Sequence, residues 1–175
     1  MNNRIIVLSG KQFCGKDTLA KILLKNLTSF KRIGLGDAIK IEYGEKNGLT
    51  FEEIEASKSI YRPDLIELAN KRRAQDADYW IKKVISMDGD LIVPDMRVIR
   101  EYNHFKNAGA FLIRVNASEE SRAKRGTLAA KDDSTETELD NITDWTYVID
   151  NESTYEELVK NSADLIEKIK EYFSL

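Results

Sequence analysis

Ile5-Ile6-Val7-Leu8-Ser9-Gly10-Lys11-Gln12-Phe13-Cys14-Gly15-Lys16-Asp17-Thr18 decides how the rest of the chain is read. An apolar run ends on a glycine, and a second glycine followed by lysine opens a stretch of helical period. The spacing Gly-x4-Gly-Lys is that of a Walker A loop. Its chemistry needs these residue types. Glycines let the main chain curl until successive N–H groups point inward, and the start of the following helix adds its positive dipole end. Lys16 then reaches the β- and γ-phosphates of a bound polyphosphate, and Lys11 adds a second positive charge. The hydroxyl that usually follows the lysine is replaced by Asp17, with Thr18 next. Either can offer Mg²⁺ a hard oxygen, directly or through water. Cys14 sits inside the loop without a recognisable base partner and reads as a small packing residue, not a nucleophile. A strand-to-helix turn that binds nothing is the plainer alternative.

Working outward, five short apolar runs, 4–9, 32–35, 90–93, 111–115 and 146–149, alternate with longer helical stretches. Continuous apolar runs fit strands buried on both faces, as in a parallel sheet. Leu19, Ile22, Leu23 and Leu27 share one face of a helix over 16–27. Leu158, Leu165 and Ile169 do so over 155–172, where Ser153 or Thr154 can cap the start. The alternation predicts an α/β layered fold whose ligand crevice lies at the carboxyl ends of the strands. Residues 40–84 lack a clear strand and read as helices. Residues 126–140 are polar and read as a lid or a surface loop.

A second group of residues is cationic. Arg97 follows Val93-Pro94-Asp95-Met96 at a strand end, and Asp95 is placed to hold Mg²⁺ or its water, or simply to start a turn. Arg122 and Arg125 are three apart on a short helix and share a face. Arg114 lies near the end of the preceding strand. Lys58, Arg62, Arg72 and Arg73 lie in the helical stretch. Arginine forks bind phosphate bidentately, whereas any one of these side chains could be a solvated surface charge. The acidic run from Asp132 to Glu136 fits a lid or a solvated loop equally. His104 carries no assignment, and Trp80 and Trp145 read as packing residues.

Composition bounds the reading. At 175 residues the chain fits one domain with its own core. The net charge of −3 lacks the global signature of a nucleic-acid binder. A single cysteine excludes an internal disulfide and a cysteine zinc site, and fits a reducing compartment. No apolar run approaches the ~20 residues of a membrane span, and the N-terminus lacks a secretory pattern, so a cytoplasmic protein is expected. Oligomeric state is not legible.

The loop resembles the Ser-Gly-x4-Gly-Lys-Asp element shared by phage and bacterial deoxynucleoside monophosphate kinases and animal-type phosphomevalonate kinases. Both belong to the nucleoside-monophosphate-kinase-like branch of P-loop proteins. Asp76-Ala77-Asp78-Tyr79-Trp80, Ile92-Val93-Pro94-Asp95-Met96-Arg97 with Glu101, and the blocks Thr135–Asp140 and Tyr147–Asn151 resemble the first group. Gly48-Leu49-Thr50-Phe51, Lys58 with Arg62, Lys71-Arg72-Arg73 and Asp132-Asp133 resemble the second. The resemblance implies one P-loop kinase domain over 1–175, three layers α/β/α with a five-stranded parallel sheet. An acceptor-binding insert would span about 40–84 and a lid about 122–140. It implies ATP and Mg²⁺, and a small phosphorylated acceptor, first a (deoxy)nucleoside monophosphate and second phosphomevalonate. Gly10, Lys11, Cys14, Gly15, Lys16, Asp17 and Thr18 would contact ATP, and Asp17, Thr18 or Asp95 would organise Mg²⁺. Arg97, with Lys58, Arg62, Arg73 or Arg114, would hold the acceptor. Arg122 and Arg125 would close over the transferring group. A non-catalytic nucleotide-binding module is the reading from another class.

Overall fold

The computed structural model describes residues 3–129 and 133–175. Two compact units are built from the chain. One comprises residues up to Arg32 together with Asp88–Leu175, and the other is Ile33–Met87.

The first unit holds a parallel sheet in the order β2-β3-β1-β4-β5. Its strands are β1 Ile5–Ser9, β2 Phe30–Arg32, β3 Asp90–Met96, β4 Phe111–Asn116 and β5 Tyr147–Asp150. Every side chain of β1 is buried, as the unbroken apolar run requires of a strand covered on both faces. Helices α1 (Lys16–Asn26) and α9 (Tyr155–Phe173) supply Leu19, Leu23, Leu165 and Ile169 to a core shared with Ile6, Leu8, Ile92 and Ile113. Ile5, Val7, Leu91, Val93 and Leu112 alternate with that set and are equally buried. The β3–β4 connection crosses the sheet in the opposite direction to β1–β2. Right-handed crossovers therefore put α6 (Ile99–Asn107), with buried Tyr102 and Phe105, on the other face. Thr154 caps α9 by accepting from the Glu157 N–H.

The second strand departs from the expectation of 32–35. It ends at Arg32, and Leu35 instead opens a helix, whose start is fixed by the Gly34 N–H donating to Asp37 at 2.9 Å. The third strand outruns its apolar core and continues through Pro94 to Met96. Proline is tolerated because pairing with β2 stops at Ile92. On the β1 side the register slips between Val7↔Val93 and Ser9↔Met96, a bulge. Asp95 is thus a strand residue and not the first residue of a turn.

The second unit is all helical: α2 Leu35–Asn47, α3 Phe51–Ala56, α4 Lys58–Gln75 and α5 Tyr79–Ile85. Its limits are wider than 40–84 because α2 starts directly after the second strand. Thr50 and Glu53 form a reciprocal cap at the start of α3. Glu42 of α2, 3% exposed, accepts from Arg72 on α4, from Tyr79 and Lys83 on α5, and from Lys46, at 2.7–2.8 Å. Burial works against its ionisation, but those four hydrogen bonds outweigh it and hold the carboxyl far below the ordinary range. Trp80 is buried, with its indole N–H on the Ala69 carbonyl.

Among the described residues no helix is long and apolar enough to cross a membrane.

Candidate functional site

The glycine-rich loop joins β1 to α1. Gly10 and Gly15 adopt φ of +152° and +103°, which L side chains rarely reach. A Cβ on Gly10 would stand 2.4 Å from the Val115 carbonyl oxygen and 2.6 Å from the Cys14 sulfur. Cys14, 1% exposed, is therefore packing beneath the loop, as the sequence suggested. A Cβ on Gly15 would lie 2.2 Å from Asn151 Nδ2, which itself donates to the Cys14 carbonyl at 2.8 Å. Phe13, at φ +59°, takes the left-handed turn without being glycine. Its ring presses on Gly126, where a Cβ would be 2.3 Å away.

The Lys16 ammonium donates to the carbonyls of Gly10 (2.5 Å) and Lys11 (3.0 Å). Burial holds its pKa below the usual lysine value. Lys16, Asp17, Thr18, Asp95, Arg97, Arg125, Arg32 and the Phe13 ring line a single cavity of about 470 Å³. Asp17 is largely exposed to it and lies 3.8 Å from Arg32. Asp95 arrives there on the β3 bulge. The main chain after it is held by Glu101, which accepts from the Arg97 N–H at 2.7 Å and from the Val98 N–H. Burial raises the Glu101 pKa.

Helix α7, Glu119–Arg125, lays two arginines over the loop. Arg122, 7% exposed, points Nη1 at the Gln12 carbonyl (3.4 Å), and its Nε is buried without a partner among the described residues. Arg125 donates to the carbonyls of Asn151 (2.7 Å), Ser153 and Phe13. The expected lid, 122–140, comprises the end of α7, a connection and the short helix α8, Ser134–Thr137. Residues 130–132 of it, Asp132 included, lie outside the described residues.

Two cations go elsewhere. Lys11 pairs with Asp140 at 2.6 Å, and Arg114 donates to the same carboxylate at 2.9 Å and to the Ser9 hydroxyl. With Trp145, over which the Arg114 guanidinium lies, they line a different cavity of about 620 Å³. Arg114 is therefore not gathered with Arg97, and the charge of Lys11 is matched within the chain. In the helical unit, Lys58, Arg62 and Arg73 are exposed. At ~100° per residue they fall within roughly 60° of one another around α4. Lys58 meets Glu55, and Arg73 meets Asn70. Arg72 is committed to Glu42.

Sequence reasoning missed four contributors. Arg32 lines the phosphate-loop cavity from the end of β2, whereas the sequence reading placed it at the start of a strand. Glu101 and Asn151 act on main-chain groups, a role without a signature in a single sequence. Glu136 is 6% exposed although it sits in the most polar stretch of the chain. It accepts from the Gln12 N–H and from Arg97, each at 2.8 Å.

Comparison with known proteins follows this geometry. A family model described as phosphomevalonate kinase matches residues 8–110, more than half of the chain. The phosphomevalonate kinase of Drosophila melanogaster is 27% identical over 183 residues, spanning 93% of this chain and 94% of that protein. Among solved structures, a gluconokinase from Sinorhizobium meliloti is similar with a TM-score of 0.56 and 14% identity, covering 99% of this chain and 96% of its own. The shikimate kinase of Aquifex aeolicus is similar at 0.52 and 18% identity, covering 93% and 96%. At these identities the structures speak for the fold alone: the sheet and its loop are those of P-loop kinases.

Proposed function

The chain belongs to the phosphomevalonate kinase family, and on that premise we propose that it transfers the γ-phosphoryl group of ATP to the phosphate of phosphomevalonate, giving the diphosphate and ADP. The observation that carries this reading is the cavity in which Lys16, Arg97 and Arg125 converge with Asp17, Thr18 and Asp95 at the carboxyl ends of β1 and β3. The sequence reading put a nucleoside monophosphate first as acceptor. The family match and the fly relative favour the second candidate. In the helical unit Trp80 is buried, and the Tyr79 ring is taken up by the Arg72 guanidinium at 4.8 Å and by Trp80.

In this mechanism the loop amides and Lys16 grip the donor phosphates, and the start of α1 faces them with its positive end. Arg125, which lines the Lys16 cavity from α7, neutralises charge on the transferring group, whereas the nearly buried Arg122 opens on a separate cavity beside Gln12 and Glu136. Arg97 faces the acceptor phosphate. The nucleophile is an oxygen of that phosphate, largely ionised at neutral pH because its second pKa is about 6. No general base is required, and the protein's work is positioning and charge neutralisation. The acceptor oxygen bonds to the γ-phosphorus as the bond to the β,γ-bridging oxygen breaks, and ADP leaves with that electron pair. Lys58, Arg62 and Arg73, exposed on one face of α4, are cations of the kind that an acceptor carrying both a phosphate and a carboxylate requires.

Mg²⁺ fits the donor set. Asp17, Thr18 and Asp95 offer hard oxygens in one cavity, and no cluster of three or more acidic, His or Cys ligands occurs among the described residues. That suits an ion that keeps several waters and takes its remaining ligands from substrate phosphates. When bound it supplies charge neutralisation on the β- and γ-oxygens.

The test is ADP release by purified protein with Mg·ATP, against a panel of nucleoside monophosphates and phosphomevalonate. Turnover with phosphomevalonate that is lost in Lys16→Ala is expected. Turnover with nucleoside monophosphates alone would overturn the acceptor, and ATP binding without transfer to any acceptor would overturn the enzyme.

A further inference from the structure

Glu136 is a buried carboxylate at the rim of the phosphate loop that the mechanism above does not use. An ionised side chain at 6% exposure is costly unless its oxygens are occupied. Both are: Oε2 accepts from the Gln12 N–H and Oε1 from Arg97 Nη1, each at 2.8 Å. Its main chain is fixed as well, because α8 is capped by Asp133, whose Oδ1 accepts from the Thr135 N–H. The two partners matter. Gln12 is the loop residue whose carbonyl Arg122 also approaches. Arg97 shares its cavity with Lys16, and two cations there repel; the negative charge of Glu136 acts on Lys16 in the opposite sense. The Arg97 side chain is 37% exposed while that of Glu136 is 4%, and Arg97 lines the cavity that holds Lys16 whereas Glu136 does not.

We propose that Glu136 is a positioning residue: it anchors one edge of the Arg97 guanidinium, leaving the outer edge directed at the acceptor phosphate, and pins the tip of the phosphate loop through Gln12. This deepens the proposed function and rests on its placing of Arg97 against the acceptor. Phosphoryl transfer, more than nucleotide binding, then depends on Glu136. In Glu136→Gln the amide oxygen still accepts from the Gln12 N–H, whereas the amide NH2 that replaces Oε1 faces the Arg97 guanidinium, so the ion pair is lost.

The experiment compares wild type, Glu136→Gln, Arg97→Ala and the double variant in three measurements. These are kcat with phosphomevalonate, the Kd of Mg·ATP by calorimetry, and rotation of the Arg97 guanidinium by ¹⁵N NMR. Glu136→Gln is expected to lower kcat about 10- to 100-fold while the Mg·ATP Kd stays within about threefold. Guanidinium rotation, slowed in wild type, speeds up in the variant. In the Arg97→Ala background the same change costs less than about threefold in kcat, the mark of two residues acting through one interaction. Unchanged kcat, unchanged guanidinium rotation, or a parallel loss of ATP affinity and melting temperature would overturn the inference. Wild-type protein inert toward phosphomevalonate would sink the proposed function instead, and the NMR arm would then decide the anchoring by itself.

Discussion

Replacing Gly15 by alanine tests the loop most directly, because two separate penalties can be read from the structure. The first is local. Gly15 has φ +103°, and a left-handed conformation costs an L residue about 1–2 kcal/mol. The second is steric. The new Cβ would stand 2.2 Å from Asn151 Nδ2 and must displace it. Displacement breaks the 2.8 Å bond to the Cys14 carbonyl and leaves a buried acceptor unpaired, at about 1–3 kcal/mol. Together about 2–5 kcal/mol falls on the curled form of the loop, which weakens Mg·ATP binding roughly 30- to several-thousand-fold. Calorimetry on Gly15→Ala, Asn151→Ala and the double variant separates the terms. Asn151→Ala alone loses the bond but leaves the glycine free. In the double variant the bond cannot be lost twice, so the combined cost falls short of the sum by about 1–3 kcal/mol. Affinity within threefold of wild type for Gly15→Ala, or strict additivity in the cycle, would refute the claim that Asn151 and Gly15 shape the loop jointly.

Other outcomes follow from the same contacts. Lys16→Met is expected to lower kcat by about two to three orders of magnitude, as for loss of one charge-stabilising donor, and single-turnover kinetics would reveal it. Glu42→Gln should destabilise the helical unit by about 3 kcal/mol, at the low end for a broken buried pair because Arg72, Lys83 and Lys46 retain access to water; urea denaturation measures it. The folded pKa of Glu42 is depressed from 4.5, so its stabilisation is present above that value and is lost as pH falls through the folded pKa. The variant should lose that slope, and an identical acid-unfolding curve would contradict the hub. Gly44→Ala places a Cβ 2.5 Å from the Leu49 carbonyl oxygen, so the melting temperature should drop by the equivalent of about 1–3 kcal/mol. Chelation of Mg²⁺ should abolish transfer while leaving the far-ultraviolet dichroism unchanged, since no described cluster of ligands makes the fold depend on a metal.

The sequence by itself determined the α/β class, four of the five strands and the phosphate loop; the second strand, expected at 32–35, lies at Phe30–Arg32. Those features rest on local rules: unbroken apolar runs, a helical period after Lys16, and glycines whose spacing suits only one kind of turn. It also marked Cys14 and Trp80 as packing residues, and both side chains are buried. Only the tertiary structure decided which charges meet. Arg114 and Lys11 looked like phosphate ligands, yet Asp140 gathers both into a different cavity. The run that ends at Glu136 fitted a lid or a solvated loop equally, yet Glu136 lies buried against Gln12 and Arg97. Asn151 and Glu101 act on main-chain atoms of residues 137 and 4 positions away. Pro94 looked like the end of its strand until the β1 bulge made room for it. Burial of a charged group depends on partners supplied from distant parts of the chain, and a pattern of residue types along one strand or helix carries no record of them.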